Sequence, residues 1–239
     1  MTNHPRHATN SATFVTPIHY HPLMFVIAID GPAASGKSSV SRLISRKLGC
    51  RYVNSGSFYR AVTWAVIQAG LPLEDEMAIT AFLGSLDIQC RLVDGNTVLL
   101  LNGEDPGGHL RDACVNDNVS RVSSYPEVRR VLTSLLRGLA DDGSLVMEGR
   151  DIGSVVFPGT PHKFYIDASE EVRASRRAAQ GEADSIAQRD AQDSSRKTAP
   201  LVIPGDAHVV DSSYLTLEGV AAEIFQRLEQ QGLPMPSPA

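Results

Sequence analysis

The sequence predicts an α/β protein: an open parallel sheet of five strands with helices on both faces, a helical insertion carrying a small antiparallel sheet, and a short lid. Three observations predict it. Met24 to Ile29 is an unbroken apolar run, as a strand covered on both faces requires. Gly31-Pro-Ala-Ala-Ser-Gly36-Lys37-Ser38 follows at once and opens a helix, which is the pattern G-x-x-x-x-G-K-[ST] in its strand, loop and helix setting. Further short apolar runs, Leu145 to Glu148, Lys163 to Ile166 and His208 to Val210, then alternate with helical stretches.

The loop carries the first piece of chemistry. Gly31 and Gly36 let the chain curl so that backbone N–H groups converge, and the helix behind them adds its positive end. Gly31, Pro32, Ala33, Ala34, Ser35, Gly36, Lys37, Ser38 and Ser39 therefore form a candidate polyphosphate cradle for ATP. Lys37 supplies a point charge to the β- and γ-phosphates, and the Ser38 hydroxyl a ligand position for Mg²⁺. Asp30, beside the loop, has two readings: orienting magnesium-bound water, or hydrogen-bonding the turn.

Residues 1–23, rich in Asn, Thr, Pro and His, show no period and read as a disordered extension without the apolar core of a secretory signal. After the loop, Val40, Leu43, Ile44 and Leu48 share one helical face and Gly49 stops the helix. Arg51 to Val53 is a short strand, and Asn54 to Arg60 turns into a helix closed by Gly70 and Pro72. Another helical stretch near Glu74 to Leu83 precedes a hairpin around Asp94-Gly95-Asn96. Pro126 starts a helix whose stripe of Val128, Val131, Leu132, Leu135 and Leu136 is core-facing. Helices from about Ser169 to Gln180 and Thr216 to Gln230 complete the crossovers. Residues 24–56 and 141–239 thus make the core, with residues 57–140 as the insertion.

Composition narrows the function. A charged content of 21% and hydrophobic content of 42% are those of a globular domain, and a net charge of −5 lacks the basic footprint of a nucleic-acid binder. No apolar run is long enough to cross a membrane. Cys50, Cys90 and Cys114, odd in number and without C-x-x-C spacing, suit reduced thiols in a cytoplasm. No apolar heptad is evident, so a monomer is expected.

Arginines form the second constellation. Arg60, Arg129, Arg150, Arg189 and Arg196 stand at the edges of predicted elements, where their planar, permanently charged forks suit a second phosphate-bearing substrate. Arg173, Arg176 and Arg177, at i, i+3 and i+4, share a helical face that either closes over transferring phosphates or is solvated. Glu148 reads as a holder of magnesium-bound water or as the partner of a local arginine, and Asp151, from the residues alone, as an internal partner of Arg150 or a turn cap. Gly149 permits close backbone approach.

Asn54-SGSFYRA, Tyr125-PEVRR, Glu148-GRDIGSVVFP, Arg189-DAQDSSR and Ala199-PLVIPGDAHVVDSS, in that order and with the phosphate loop before them, resemble the bacterial-type cytidylate kinases over most of Met24 to Gln230. The resemblance implies a nucleoside monophosphate kinase that transfers the ATP γ-phosphoryl group to CMP or dCMP with Mg²⁺. It implies an acceptor-binding insertion at 57–140 and a lid at about 177–196. Arg60 and Arg150 would hold the acceptor phosphate, Ser55, Arg129, Asp151 and Arg196 the cytosine, and Ser120, Arg189 and Asp193 the sugar side. Lys37, Arg150, Arg177 and Arg189 would neutralise the transferring group. The lid departs from the pattern: eleven residues separate Arg177 from Arg189, where many relatives carry a longer pair of helices. The alternatives are a kinase of the same fold acting on UMP or AMP, and a non-catalytic nucleotide-binding regulator.

Overall fold

The computed structural model describes residues 24–179, 190–191, 193–196 and 199–235. The expectations for residues 1–23, for Arg189 and for much of the lid lie outside them. The elements follow in chain order as β1 (Val26–Asp30), α1 (Lys37–Leu48), β2 (Arg51–Asn54), α2 (Ser55–Gln68), α3 (Glu76–Ser85), β3 (Ile88–Val93), β4 (Asn96–Leu101), α4 (Ala113–Val122) and α5 (Pro126–Gly138). After these come β5 (Leu145–Gly149), β6 (His162–Asp167), α6 (Glu170–Ala179), β7 (His208–Asp211) and α7 (Leu217–Gln230).

Among the described residues there is one sheet of seven strands in the order β3-β4-β2-β5-β1-β6-β7. Its five parallel strands, β2-β5-β1-β6-β7, are those expected, with β1 central between β5 and β6. The hairpin differs from expectation: β3 and β4 continue the core sheet, because β4 runs parallel to β2 at Tyr52 and Asn96. The Tyr52 N–H donates to the Gly95 carbonyl at 3.0 Å, so the turn of the hairpin is the point of attachment. Its Asp94-Gly95 turn has positive φ at both residues, as a two-residue hairpin of matching twist requires.

Side chains of the central strands alternate between two apolar layers. Ala28, Leu145 and Met147 face a layer built by α2, α4 and α5 with Phe58, Val62 and Leu132. Ile27, Ile29, Val146 and Phe164 face the opposite layer, with Ile44 of α1 and Ile224 of α7. Both faces of β1 and β5 are covered, which is why their sequences read as unbroken apolar runs. Helix α1 ends as read, with Gly49 in the left-handed region at φ 62°. Helix α4 was not predicted. Its buried stripe is only Val115, Val119 and Val122 in a polar, β-branched segment, and packing on α2 supplies what propensity does not.

Candidate active site

Two chain reversals at the C-terminal edge of the sheet make the site, where an open α/β sheet places its crevice. The first is the phosphate loop between β1 and α1. A Cβ on Gly31 would lie 2.1 Å from the Ile166 carbonyl oxygen, so only glycine lets the loop pass β6. Lys37 is buried, and its Nζ donates to the Pro32 carbonyl at 2.9 Å. Burial first, and then the charge of Arg150, push the Lys37 ammonium down to about 7.

The second reversal follows β5 and carries Arg150 and Asp151 into a one-turn π-helix at Ile152–Val156. Asp30 fixes it. Its two carboxylate oxygens accept the N–H groups of Ile152 at 2.8 Å and Gly153 at 2.7 Å. Asp30 thus hydrogen-bonds the turn after β5, and not the phosphate-loop turn beside it. Burial raises Asp30 to about 6 against the lowering effect of those N–H bonds. At Gly149 an added Cβ would meet Ser55 Oγ at 2.5 Å, so the close approach read from the sequence is real.

Between the reversals lies a cleft of about 950 Å³. Ala33, Ala34, Ser35, Gly36, Lys37, Ser38 and Ser39 line one wall, and Ser55, Arg60, Ser120, Arg129, Arg150, Asp151, Asp193 and Arg196 line the other. The structure thus brings together predicted residues from distant segments. Gly31 and Pro32 shape the loop without lining the cleft.

The arginine wall is organised by two aspartates. Arg129, only 4% exposed, pairs with Asp151, 3% exposed, donates to the Ser123 carbonyl at 3.1 Å and stacks 5.3 Å from the Tyr59 ring. Asp151 therefore partners Arg129 rather than Arg150. Burial raises the Asp151 pKa against the opposing charge of Arg129. Asp193 takes Arg150 Nε at 2.8 Å on one oxygen and Arg196 on the other. Arg196 Nε is buried without a hydrogen-bond partner among the described residues, a donor directed into a polar wall. Arg60 donates to the Leu110 carbonyl at 2.8 Å and to Asn116 Oδ1 at 2.6 Å, tying α2 to α4 and the segment before it.

Glu148 joins the two walls. Its Oε2 accepts from Ser38 Oγ at 2.7 Å and its Oε1 from the Tyr52 hydroxyl. Hydroxyls, rather than an arginine, are thus its hydrogen-bond partners. At the lid root, Arg176 and Arg177 reach the cleft, and Arg176 also holds the Ser212 carbonyl at 2.7 Å. Arg173 does not line the cleft with them. It braces the phosphate loop through the Ala33 carbonyl at 3.3 Å and pairs with Asp190. Sequence reasoning missed Tyr52, which sits in a segment that carries no motif, and Asp190 and Ser212, which sit inside motif segments but were given no role there.

A phosphate loop facing an arginine-lined wall across a cleft of nucleotide dimensions defines a P-loop phosphotransferase. The family model described as cytidylate kinase matches residues 27–230, and the chain belongs to that family. A protein named cytidylate kinase from Nocardia farcinica is 41% identical over 218 residues, covering 86% of this chain and 94% of that one. Another from Geobacillus thermodenitrificans is 39% identical over 216 residues, covering 86% and 96%. The enzyme is accordingly an ATP-dependent nucleoside monophosphate kinase. No helix among the described residues is long and apolar enough to cross a membrane.

Proposed function

We propose that the enzyme transfers the γ-phosphoryl group of ATP to CMP or dCMP, giving ADP and CDP or dCDP. The observation that carries this reading is the buried Arg129–Asp151 pair in the wall opposite the phosphate loop. Cytosine presents an amine beside two acceptors. Arg129 engages Asp151 Oδ2, so Oδ1 is the oxygen offered to that amine, while the unpartnered Arg196 Nε suits the acceptor edge. Uracil would set a carbonyl oxygen against the carboxylate, which disfavours UMP.

The acceptor phosphate oxygen is itself the nucleophile, so the protein's work is positioning and charge stabilisation. Arg60 and Arg150 would hold the acceptor phosphate, Ser55 and Ser120 would flank the nucleoside, and Asp193 would orient Arg150 and Arg196 beside the sugar. Lys37, Arg150 and Arg177, with Arg189 beyond the described residues, would neutralise the transferring group. Two adjacent oxygen groups, the Ser38 hydroxyl and the Glu148 carboxylate, suit a hard cation such as Mg²⁺. When bound with ATP, that ion would supply positive charge to the phosphate oxygens. In the same reading residues 57–140 form the acceptor-binding insertion and 177–196 the lid, and the enzyme works as a cytoplasmic monomer.

A coupled ADP-release assay with CMP, dCMP, UMP, AMP and no acceptor tests this. Turnover confined to CMP and dCMP is expected. Turnover with UMP or AMP instead would discard the cytosine roles of Asp151 and Arg129, and acceptor-independent release would point to an ATPase.

A further inference from the structure

We infer that Tyr52 is a positioning residue for phosphoryl transfer: its hydroxyl fixes the Glu148 carboxylate beside Ser38, and the β3–β4 hairpin holds Tyr52 in place. The inference rests on the reading of Ser38 and Glu148 as the groups that meet the nucleotide-bound cation.

Glu148 is 1% exposed and Tyr52 3% exposed. A carboxylate so buried depends on donors, and here each oxygen has one: Ser38 on Oε2 and Tyr52 on Oε1. The Ser38 bond must yield or adjust when a cation binds between the two groups. The Tyr52 bond lies on the far side of the carboxylate and can persist, so it is the one that fixes the carboxylate plane.

Tyr52 is in turn held at three points. Its N–H bonds the Gly95 carbonyl at 3.0 Å, its Cα pairs with Asn96, and the Arg42 guanidinium lies 4.4 Å from its ring centre. Arg42 NH1 donates to Asn96 Oδ1 at 2.6 Å, and Asn96 Nδ2 closes onto the Asp94 carbonyl at 2.9 Å. The hairpin turn, α1 and β2 thus meet around one ring, whose hydroxyl ends on Glu148, a residue that lines the catalytic cleft. The hairpin acts on the reaction through this ring, without touching substrate.

Tyr52→Phe keeps the ring, its packing and the Arg42 stack, and removes the donor alone. Calorimetry with a non-hydrolysable ATP analogue, in Mg²⁺ and in EDTA, would be run on wild type, Tyr52→Phe, Glu148→Gln and Asn96→Ala. Wild type is expected to gain affinity from Mg²⁺ and Glu148→Gln to lose that gain. Tyr52→Phe should lose about tenfold of it, the scale on which groups supporting a metal ligand act, with turnover reduced and the acceptor KM unchanged. Asn96→Ala should shift it the same way by less. If Glu148→Gln loses the gain while Tyr52→Phe and Asn96→Ala both keep it, the inference is overturned and the cation reading stands. If wild type shows no gain, the cation reading is the one at fault and the inference falls with it.

Discussion

The two walls of the cleft are built in opposite ways. The phosphate-loop wall is made of one short stretch of chain: seven consecutive residues, Ala33 to Ser39, whose single lysine is folded back on the Pro32 carbonyl with its charge disfavoured by burial. The arginine wall is made of side chains from four distant segments, ordered before any ligand arrives by the Arg129–Asp151, Arg150–Asp193 and Arg196–Asp193 pairs. One wall waits for its ligand to complete its electrostatics, whereas the other is held in place beforehand by its own ion pairs and keeps more arginines than aspartates. The acceptor side is therefore the more preorganised of the two before ligand arrives.

The sharpest way to break this contrast is to remove the loop's only cation. Lys37→Ala should lower turnover roughly 10³- to 10⁵-fold, the scale of a lost charge-stabilising group in phosphoryl transfer, while leaving the acceptor wall and the melting temperature nearly intact. Single-turnover kinetics beside thermal melting would check it. Near-normal turnover would remove Lys37 from the mechanism.

On the other wall the larger consequence is for folding. Arg129→Met leaves the Asp151 carboxylate buried without its cation and should cost about 3–5 kcal/mol of stability, read from urea denaturation. Next in size is a loss of discrimination. Asp151→Asn substitutes an amide for the carboxylate, and the ratio of kcat/KM for CMP over UMP should fall by about 1–3 kcal/mol, or roughly tenfold to a hundredfold. An unchanged ratio would mean that the Arg129–Asp151 pair is scaffold alone.

The same contrast explains what the sequence could and could not disclose. Gly31, Lys37 and Gly49 belong to contiguous patterns with fixed spacing, so the loop and the limits of α1 were legible from sequence even though the fold constrains Gly31 through β6. The parallel strands were legible too, because burial on both faces imprints an unbroken apolar run on β1 and β5. Arg129, Asp151 and Asp193 have no mutual spacing that physics dictates. Topology brings them together, and only the family resemblance assigned them to one site. Asp151 was weighed as a partner of its neighbour Arg150, since chain proximity is all that sequence offers, and the fold instead gives it Arg129. Tyr52 was read simply as part of a strand, and the hairpin as a separate small sheet, because nothing in Asn96 announces its bridge to β2. Helix α4 was hidden by its narrow valine stripe, whose burial against α2 is a tertiary effect.

The smallest predicted effect bears on the phosphate loop alone. With Lys37 at about 7 in the empty enzyme, most molecules at pH 8 hold it neutral. A bound triphosphate brings several negative charges beside it and favours the ammonium, so binding at pH 8 should take up close to one proton. Below pH 6 the lysine is already charged and its uptake should vanish. Asp30, at about 6, titrates below the upper window, so the pH 8 measurement isolates Lys37. Calorimetry of an ATP analogue in buffers of different ionisation enthalpy reads the proton count directly, and Lys37→Met should abolish the uptake. The stability of the empty enzyme carries the complementary sign. Because the folded value is depressed below the ordinary 10.5, the unfolded chain binds a proton between about 7 and 10.5 that the native state does not, so this residue's contribution to stability improves as pH rises through that window and is lost as pH falls through 7. A flat proton count from pH 6 to 8 would show that Lys37 is charged before ATP arrives, and the two walls would then be electrostatically alike.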